Sequence, residues 1–405
     1  MTTSEHPLTT APTGPDGVGT GGAGIGDPAA LLAAVPAPAS SPEDRREPAT
    51  GDGPAGDGGA GDGGAGEAHE AVVLLARARE TVDPQLRRAV EALPPGVRGV
   101  ARYHFGWTDA DGRPAPPGAA GGKAIRPALV LAAARALGGG DRDAVRAAAA
   151  VEIAHNFTLL HDDVIDEDRR RRGRATAWTV FGVPATVIAG DALAAAAVRL
   201  LVEEPHPAAG AAVARLTDCV VELCEGQHAD CAFEDRAEVT LDECLAMATA
   251  KTGALLGCAC ALGGLYTGAG PEEVEALDAF GREAGLAFQL IDDLIGIWGD
   301  PEHTGKPAGA DLVARKKSLP VVAALTSGTT AGAELAALYA GPLSGPDEIR
   351  RAAAAVERAG GRDWAQAHAA DRMAAALQHL TRAVPDPAAA GELLALAEFV
   401  TRRTR

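Results

Sequence analysis

Asp162, Asp163 and Asp166 fall within about one helical turn in LLHDDVIDEDRRRRGRAT, residues 159–176, and the first and last of them share a helix face. Carboxylates this close repel one another unless cations lie between them. Hard oxygen ligands with room for water suit Mg2+, which bridges a few carboxylates to the phosphate oxygens of a substrate. A second pair, Asp292 and Asp293, sits in the apolar stretch FQLIDDLIGIWGD, residues 288–300, where an uncompensated carboxylate is costly to bury. Either motif alone also reads as a solvated acidic helix end neutralised by its neighbours. Together, on two apolar helices, they read as opposed jaws around a polyanion.

Cations are spaced to match. GGKAIRP, residues 121–127, presents Lys123 and Arg126 on one side of a helix start, where free backbone N–H groups also favour anions. Arg171 and Arg172 follow the first acidic motif, and Lys251, Lys306, Lys316 and Lys317 come later. Arginine grips a diphosphate by a bidentate fork and lysine as a point charge. Any one of these alone reads as surface solubility.

The elements that must position these groups are helical. From about residue 69, apolar residues recur at i, i+3, i+4, as in AVVLLARARETVDPQLRRAVEAL and AVRAAAAVEIAHNFTLLHDDVID; no convincing strand stands out. The pattern predicts one all-α bundle over 69–405, with sites built from inward side chains. Residues 1–68 are rich in Gly, Ala, Pro and Asp. GDGPAGDGGAGDGGAGE in that region cannot bury enough apolar surface to offset its ordering entropy, so a disordered N-terminal tail is expected. Its apolar island DPAALLAAVPAP, 27–38, reads as a less polar patch of linker or as a short docking motif.

A net charge of −18 argues against nucleic acid as a partner, since a phosphate-binding groove needs concentrated Lys and Arg. The first residues lack the basic and apolar pattern of an export signal, and the six Cys form no disulfide framework, so the cytoplasm is the expected location. TGALLGCACALGGLYTGAG, 252–270, is long enough to span a bilayer but is diluted by Gly, Ala and Thr, and a buried core helix is expected instead of a transmembrane segment. Cys224, His228 and Cys231 share a helical face that could chelate Zn2+, but no fourth ligand is near and buried core cysteines are the simpler reading.

In these residues the chain resembles the trans-isoprenyl diphosphate synthases, or polyprenyl synthetases. Over about residues 70–405 that family's signatures occur in order: GGKAIRP, HNFTLLHDDVIDEDRRRRG, AGDAL (189–193), GQHAD (226–230), KTG (251–253), FQLIDD, GKPAGADL (305–312) and KKSLP. The resemblance implies an isoprenoid-synthase-type helical bundle with a central active-site cavity, usually a homodimer, which condenses isopentenyl diphosphate with an allylic diphosphate using Mg2+. It implies that Asp162, Asp163 and Asp166 hold Mg2+ on the allylic diphosphate from one side, and Asp292 and Asp293 from the other. Lys123, Arg126, His155 and Arg172 would hold isopentenyl diphosphate, Arg171, Lys251 and Lys306 the allylic diphosphate, and Phe288 and Gln289 would line the cavity.

The family pattern for the second motif is Asp-Asp-x-x-Asp, and this chain has Gly296 at the third acidic position. Asp300, eight residues after Asp292, returns to the same face and replaces the missing metal ligand if the helix continues past Gly296 and Gly299. DDLIGIWGD also has a partial likeness to the second metal motif of class I terpene cyclases. A cyclase and a non-catalytic regulatory subunit of a heteromeric synthase are therefore the alternatives. Retention of GGKAIRP and Arg172 favours condensation over cyclisation, and the complete first motif disfavours the regulatory subunit.

In this family, bulky side chains just before the first motif set the cavity floor. Phe157, five positions before Asp162, implies a C20 product with C15 as runner-up; its alternative is core packing. The long tail, RYHFGW (102–107) and DDLIGIWGD together are similar to actinobacterial prenyltransferases carried as cargo by encapsulin shells. That likeness implies a targeting role for the tail, a shell-protein partner and a location inside an encapsulin nanocompartment.

Overall fold

Among the residues that the computed structural model describes, 63–116, 122–300, 308–343 and 345–401, the periodic segments are helices. They run α1 (Gly63–Glu91), α2 (Pro95–His104), α3 (Ile125–Ala136), α4 (Asp141–Ile165), α5 (Ala177–Phe181), α6 (Val183–Val202), α7 (Ala209–Asp235), α8 (Leu241–Ala248), α9 (Ala254–Tyr266) and α10 (Pro271–Trp298). After these come α11 (Ala310–Val313), α12 (Leu319–Leu325), α13 (Thr330–Tyr339), α14 (Pro346–Arg358), α15 (Gly361–Ala383) and α16 (Pro387–Thr401). Helix α1 begins at Gly63, inside the segment expected to be tail; the rest of that tail, with its apolar island, lies outside the described residues.

The expectation of no strand needs a correction. Arg170–Arg171 and Arg174–Ala175 form a two-stranded hairpin, β1 and β2, in which Arg171 pairs with Arg174. Both turn residues, Arg172 and Gly173, have positive φ (51° and 73°), the geometry that lets a two-residue loop follow the strand twist. Two-residue strands leave no alternating pattern for a sequence reading to find.

Helix α9, ALLGCACALGGLY, is the centre of the packing, and nearly every residue of it is buried. Its small side chains let neighbouring backbones come close. A Cβ on Gly263 would lie 2.7 Å from Ala133 Cβ on α3, and one on Gly257 would lie 2.7 Å from Asp278 O on α10. From the other side, a Cβ on Gly281 would lie 2.7 Å from the backbone of Gly257. Helices α3, α4, α7, α9 and α10 thus gather around one interior, and the two acidic motifs stand on two of them, α4 and α10.

Among the described residues, two helical stretches are long and apolar enough to cross a membrane, Val183–Val202 and Leu241–Tyr266, and a third arises only if Leu319–Leu325 and Thr330–Tyr339, bent by 117°, are taken as one. The second contains most of the predicted core segment and is 72% buried in the fold, so its apolar side chains are already satisfied. The first is only 44% buried, and Ile188, at 55% exposure, is among the large side chains that α6 turns outward.

Gly281→Ala should cost about 1–3 kcal/mol, because its methyl has backbone on the opposing side and no flexible side chain to displace. Urea denaturation would read this directly, and an unchanged midpoint would mean that the α9–α10 crossing is loose enough to admit a methyl group.

Candidate active site

The first acidic motif ends α4, and the structure divides its labour. Asp163 is fully buried and accepts a hydrogen bond from Arg171 Nε at 2.7 Å, while its Oδ2 is shielded without a partner. It braces the hairpin from behind, beside a cavity of about 30 Å³ that it shares with His104, Arg171 and Arg172. Asp162 lines the main cavity. Burial pushes its carboxyl up to about 7, against the pull of Lys251 and with the repulsion of Asp166 and Asp163 added. Asp163 is pushed up to about 6 by burial despite Arg171, and Asp166 is raised by burial as well. These are carboxylates short of positive charge.

Lys251 answers part of that need. It lies in a π-helical turn, Thr249–Gly253, between α8 and α9, the kind of local widening that recurs at functional sites. Its Nζ donates to Asp230 Oδ2 at 2.5 Å. Burial alone would lower the lysine, but Asp230 and Asp162 hold it above its ordinary value. A Cβ on Gly226, one turn before Asp230, would lie 2.6 Å from Lys251 N, so the glycine of GQHAD is what lets α7 touch this turn. Asp230 belongs to a motif visible in the sequence, yet sequence reasoning gave it no role.

On α10 the second motif divides in the same way. Asp293 is buried, and both its oxygens have protein partners: Oδ1 accepts from Gln289 Nε2 at 2.8 Å with Lys316 Nζ at 3.6 Å, and Oδ2 accepts from Leu319 N at 2.9 Å. Gln289 in turn accepts from Thr252 Oγ1 at 2.8 Å, tying α10 to the π turn. Asp293 is thus a brace, and Asp292 is the less buried member of the pair. Lys316, which the sequence offered only as one of several cations, is held above its ordinary value by Asp293, Asp311, Asp230 and Asp292 despite its burial.

Asp300 does not stand where the sequence spacing put it. Helix α10 continues through Gly296 but stops at Trp298; Gly299 turns extended (φ −64°, ψ 145°), and Asp300 is exposed. In the sequence Pro301 follows, which disfavours helical backbone at the residue before it. The carboxylate that meets the missing position is Asp311 of GKPAGADL. A Cβ on Gly296 would lie 2.5 Å from Asp311 Cγ, so Gly296 is the notch in which Asp311 seats. Lys306 lies outside the described residues.

The remaining sequence candidates converge. Lys123, Arg126, His155, Arg171 and Arg172 line the same cavity as Asp162, Lys251, Phe157, Phe288 and Gln289. Lys123 is buried with its Nζ 5.7 Å from the Phe399 ring centroid. Gly122 leaves space for Arg172, whose Nη2 would lie 2.6 Å from a Cβ there. Burial, together with Arg126, Arg172 and Arg171, holds His155 well below its ordinary value, so its imidazole is neutral among cations. Cys224, His228 and Cys231 also face this cavity; Cys224 is exposed, not buried, whereas Cys258 and Cys260 are core residues as expected.

The cavity measures about 500 Å³. Its lining joins these charged groups to the apolar side chains Phe157, Leu223, Leu255, Leu256 and Phe288 and to the polar Thr158, Gln227 and Thr252. Among the described residues no three acidic, His or Cys groups stand close enough to hold a metal by themselves. That donor set fits Mg2+ shared with a substrate's phosphates and with water, since this ion is commonly held by one or two carboxylates. The raised carboxyls of Asp162 and Asp166 are the observation that such a cation would relieve.

Charged and large apolar side chains sharing one cavity in a helical bundle define a site suited to an amphipathic ligand. The polyprenyl synthetase family profile matches residues 118–356, and the chain belongs to that family. It is 49% identical to the geranylgeranyl diphosphate synthase of Mycobacterium tuberculosis, over 82% of this chain and 93% of that protein. It is 44% identical to the (2E,6E)-farnesyl diphosphate synthase of Mycobacterium bovis, over 82% and 92%. Among solved structures, a polyprenyl synthetase from Streptomyces coelicolor A3(2) is similar with a TM-score of 0.77 at 43% identity, covering 81% of this chain and 98% of that one.

Two expectations follow from the geometry. His104, buried beside Arg172 and Arg171, is held down at about 3, chiefly by desolvation. Between that value and the ordinary 6.5 the unfolded chain takes up a proton that the folded chain does not. Stability is therefore lost as pH falls below about 6.5, by at most about 1.4 kcal/mol per pH unit for this one group. Melting temperatures across pH 4–7 should show a shallower acid-side loss in His104→Gln than in the native chain. Separately, a double-mutant cycle on Gly296→Ala and Asp311→Ala should show coupling above about 0.5 kcal/mol, as for groups in contact; additive effects would mean that Asp311 does not depend on the notch.

Proposed function

We propose that the chain is a Mg2+-dependent trans-prenyltransferase that condenses isopentenyl diphosphate with an allylic diphosphate, head to tail, and releases a C20 product, with C15 as the nearer alternative. The observation that carries this reading is the cavity itself, whose lining joins Lys123, Arg126, Arg171, Arg172 and Lys251 to large apolar side chains. Kinship with synthases named for C20 and for C15 products supports the class.

In this reading Lys123, Arg126, His155 and Arg172 hold isopentenyl diphosphate, while Arg171 and Lys251 hold the allylic diphosphate. Lys306 is proposed for the latter from sequence alone. Asp162 and Asp166 from α4 and Asp292 from α10 are the residues that would hold Mg2+, with Asp163 and Asp293 ordering their neighbours and Asp311 adding negative charge beside Gly296. When bound, Mg2+ supplies charge that stabilises the diphosphate as it departs. The C1–O bond of the allylic diphosphate breaks with its electron pair on oxygen. Arg171 and Lys251 meet the charge that develops there. The double bond of isopentenyl diphosphate, aligned by its own cationic cradle, attacks the allylic cation, and the released diphosphate takes the proton lost in restoring a double bond. The Leu and Phe side chains of the lining offer the cation no nucleophile, although Cys224, His228 and Cys231 line the same cavity.

The outward apolar face of α6, with Ile188 and Val202, and Val221 on α7 support a homodimer through these helices. The tail is proposed to dock on an encapsulin shell protein, which would place the cytoplasmic enzyme inside a nanocompartment. Deleting residues 1–62, which stops short of α1, should abolish co-purification with a shell and leave turnover intact.

The purified chain, given isopentenyl diphosphate, a C5, C10 or C15 allylic diphosphate and Mg2+, should yield a longer allylic diphosphate. Asp162→Asn should reduce kcat by about a thousandfold or more, the scale of losing a main charge-stabilising group. Cyclic hydrocarbon from an allylic diphosphate alone would identify a cyclase instead. A folded protein with no turnover would point to a regulatory subunit.

A further inference from the structure

Helical side chains lean toward the N-terminus of their helix, so His161 leans back over Phe157, one turn earlier on α4. Their rings meet edge to face, 5.8 Å between centroids at 75°. Both line the cavity. On its other side the imidazole reaches across to α6, where Nε2 lies 3.1 Å from Val187 O and 3.7 Å from Asp191 Oδ1. It gets there because position 190 is glycine: a Cβ would overlap Nε2 and Cδ2 and come within 3.1 Å of Cε1. The imidazole is thus clamped by a backbone carbonyl, a glycine notch and the Phe157 ring. Phe157 itself is buried and cannot swing toward α6 while that clamp holds.

We propose that Gly190 and His161 set the length of the product, by fixing the Phe157 ring as the end wall of the tail cavity. This rests on the proposed reading that the prenyl tail grows from the diphosphate end toward Phe157, which lies about 7–8 Å along the α4 axis from Asp162. Neither residue takes part in the chemistry. They are positioning residues, and what they position is a steric stop. Product chain length reports such a role, whereas a merely structural contribution moves only stability.

The test uses the full chain and its Phe157→Ala, His161→Ala, His161→Gln and Gly190→Ala variants. Each is given isopentenyl diphosphate, a C5 allylic diphosphate and Mg2+; products are separated by length and melting temperatures recorded alongside. Phe157→Ala and His161→Ala should lengthen the product by at least one five-carbon unit. His161→Gln, which keeps a donor within reach of Val187 O, should retain the native length. Gly190→Ala, whose methyl drives the imidazole out of the notch toward Phe157, should shorten the product by one unit; if it does not fold, the His161 pair decides alone.

A native product from His161→Ala, with a longer one from Phe157→Ala, would overturn the clamp while leaving Phe157 as the floor. A native product from Phe157→Ala would overturn both clamp and floor, yet turnover by the native chain would still stand for the prenyltransferase reading. No turnover by the native chain would remove that reading, and the clamp with it.

Discussion

Everything around the cavity answers one constraint, the confinement of like charges. Asp162, Asp163 and Asp166 end a single helix in partly buried surroundings, and Asp230 adds a fourth carboxylate from α7. Burial raises the first three, so each is easier to protonate than in water. The fold meets this with fixed cations. Lys251 stands between Asp230 and Asp162, Arg171 covers Asp163, and Lys316 is ringed by acids from α7, α10 and the α11 segment. These cations do not fully offset the burial, and the three carboxyls stay raised.

That deficit explains why each acidic pair is divided. One member of each faces the fold and orders a neighbour: Asp163 orders Arg171, and Asp293 orders Gln289, Lys316 and the start of α12. Of the other two, Asp162 lines the cavity and Asp292 is the less buried. Paired carboxylates in a bundle interior are therefore a structural device as well as a chemical one. A buried carboxylate with several donors is a rigid strut, and the hydrogen bonds that hold it also fix the cations and amides beside it.

Absent side chains matter as much as present ones. At four places a missing Cβ makes room for a functional group: Gly122 for Arg172, Gly226 for the Lys251 turn, Gly190 for His161 and Gly296 for Asp311. The Ala- and Gly-rich composition of α9 follows the same rule, since close helix crossings bring short side chains and backbone into contact. The chain gains dense packing from proximity where large side chains are few.

The sequence by itself determined the class of fold and the cast of the site. Helical periodicity with Gly and Pro punctuation is local information, and GGKAIRP, the aspartate motifs and KTG are contiguous strings, so both are legible along the chain alone. Phe157, Lys123, His155 and Arg172 all stand at the cavity that motif order implied for them. What only the tertiary structure decided is which atoms face which. Asp162 and Asp163 are adjacent in the sequence and opposite in role, because helix rotation turns one to the cavity and the other to Arg171. Asp300 shares the spacing of a ligand, but the helix ends at Trp298, so it does not return to the Asp292 face by helical geometry. Asp311, fifteen positions from Gly296, fills the gap instead, and no local pattern could have paired them. Asp230 and Lys316 became legible as partners only when α7, the π turn and α10 closed around them, since a charge's neighbours in space are set by packing and not by its place along the chain.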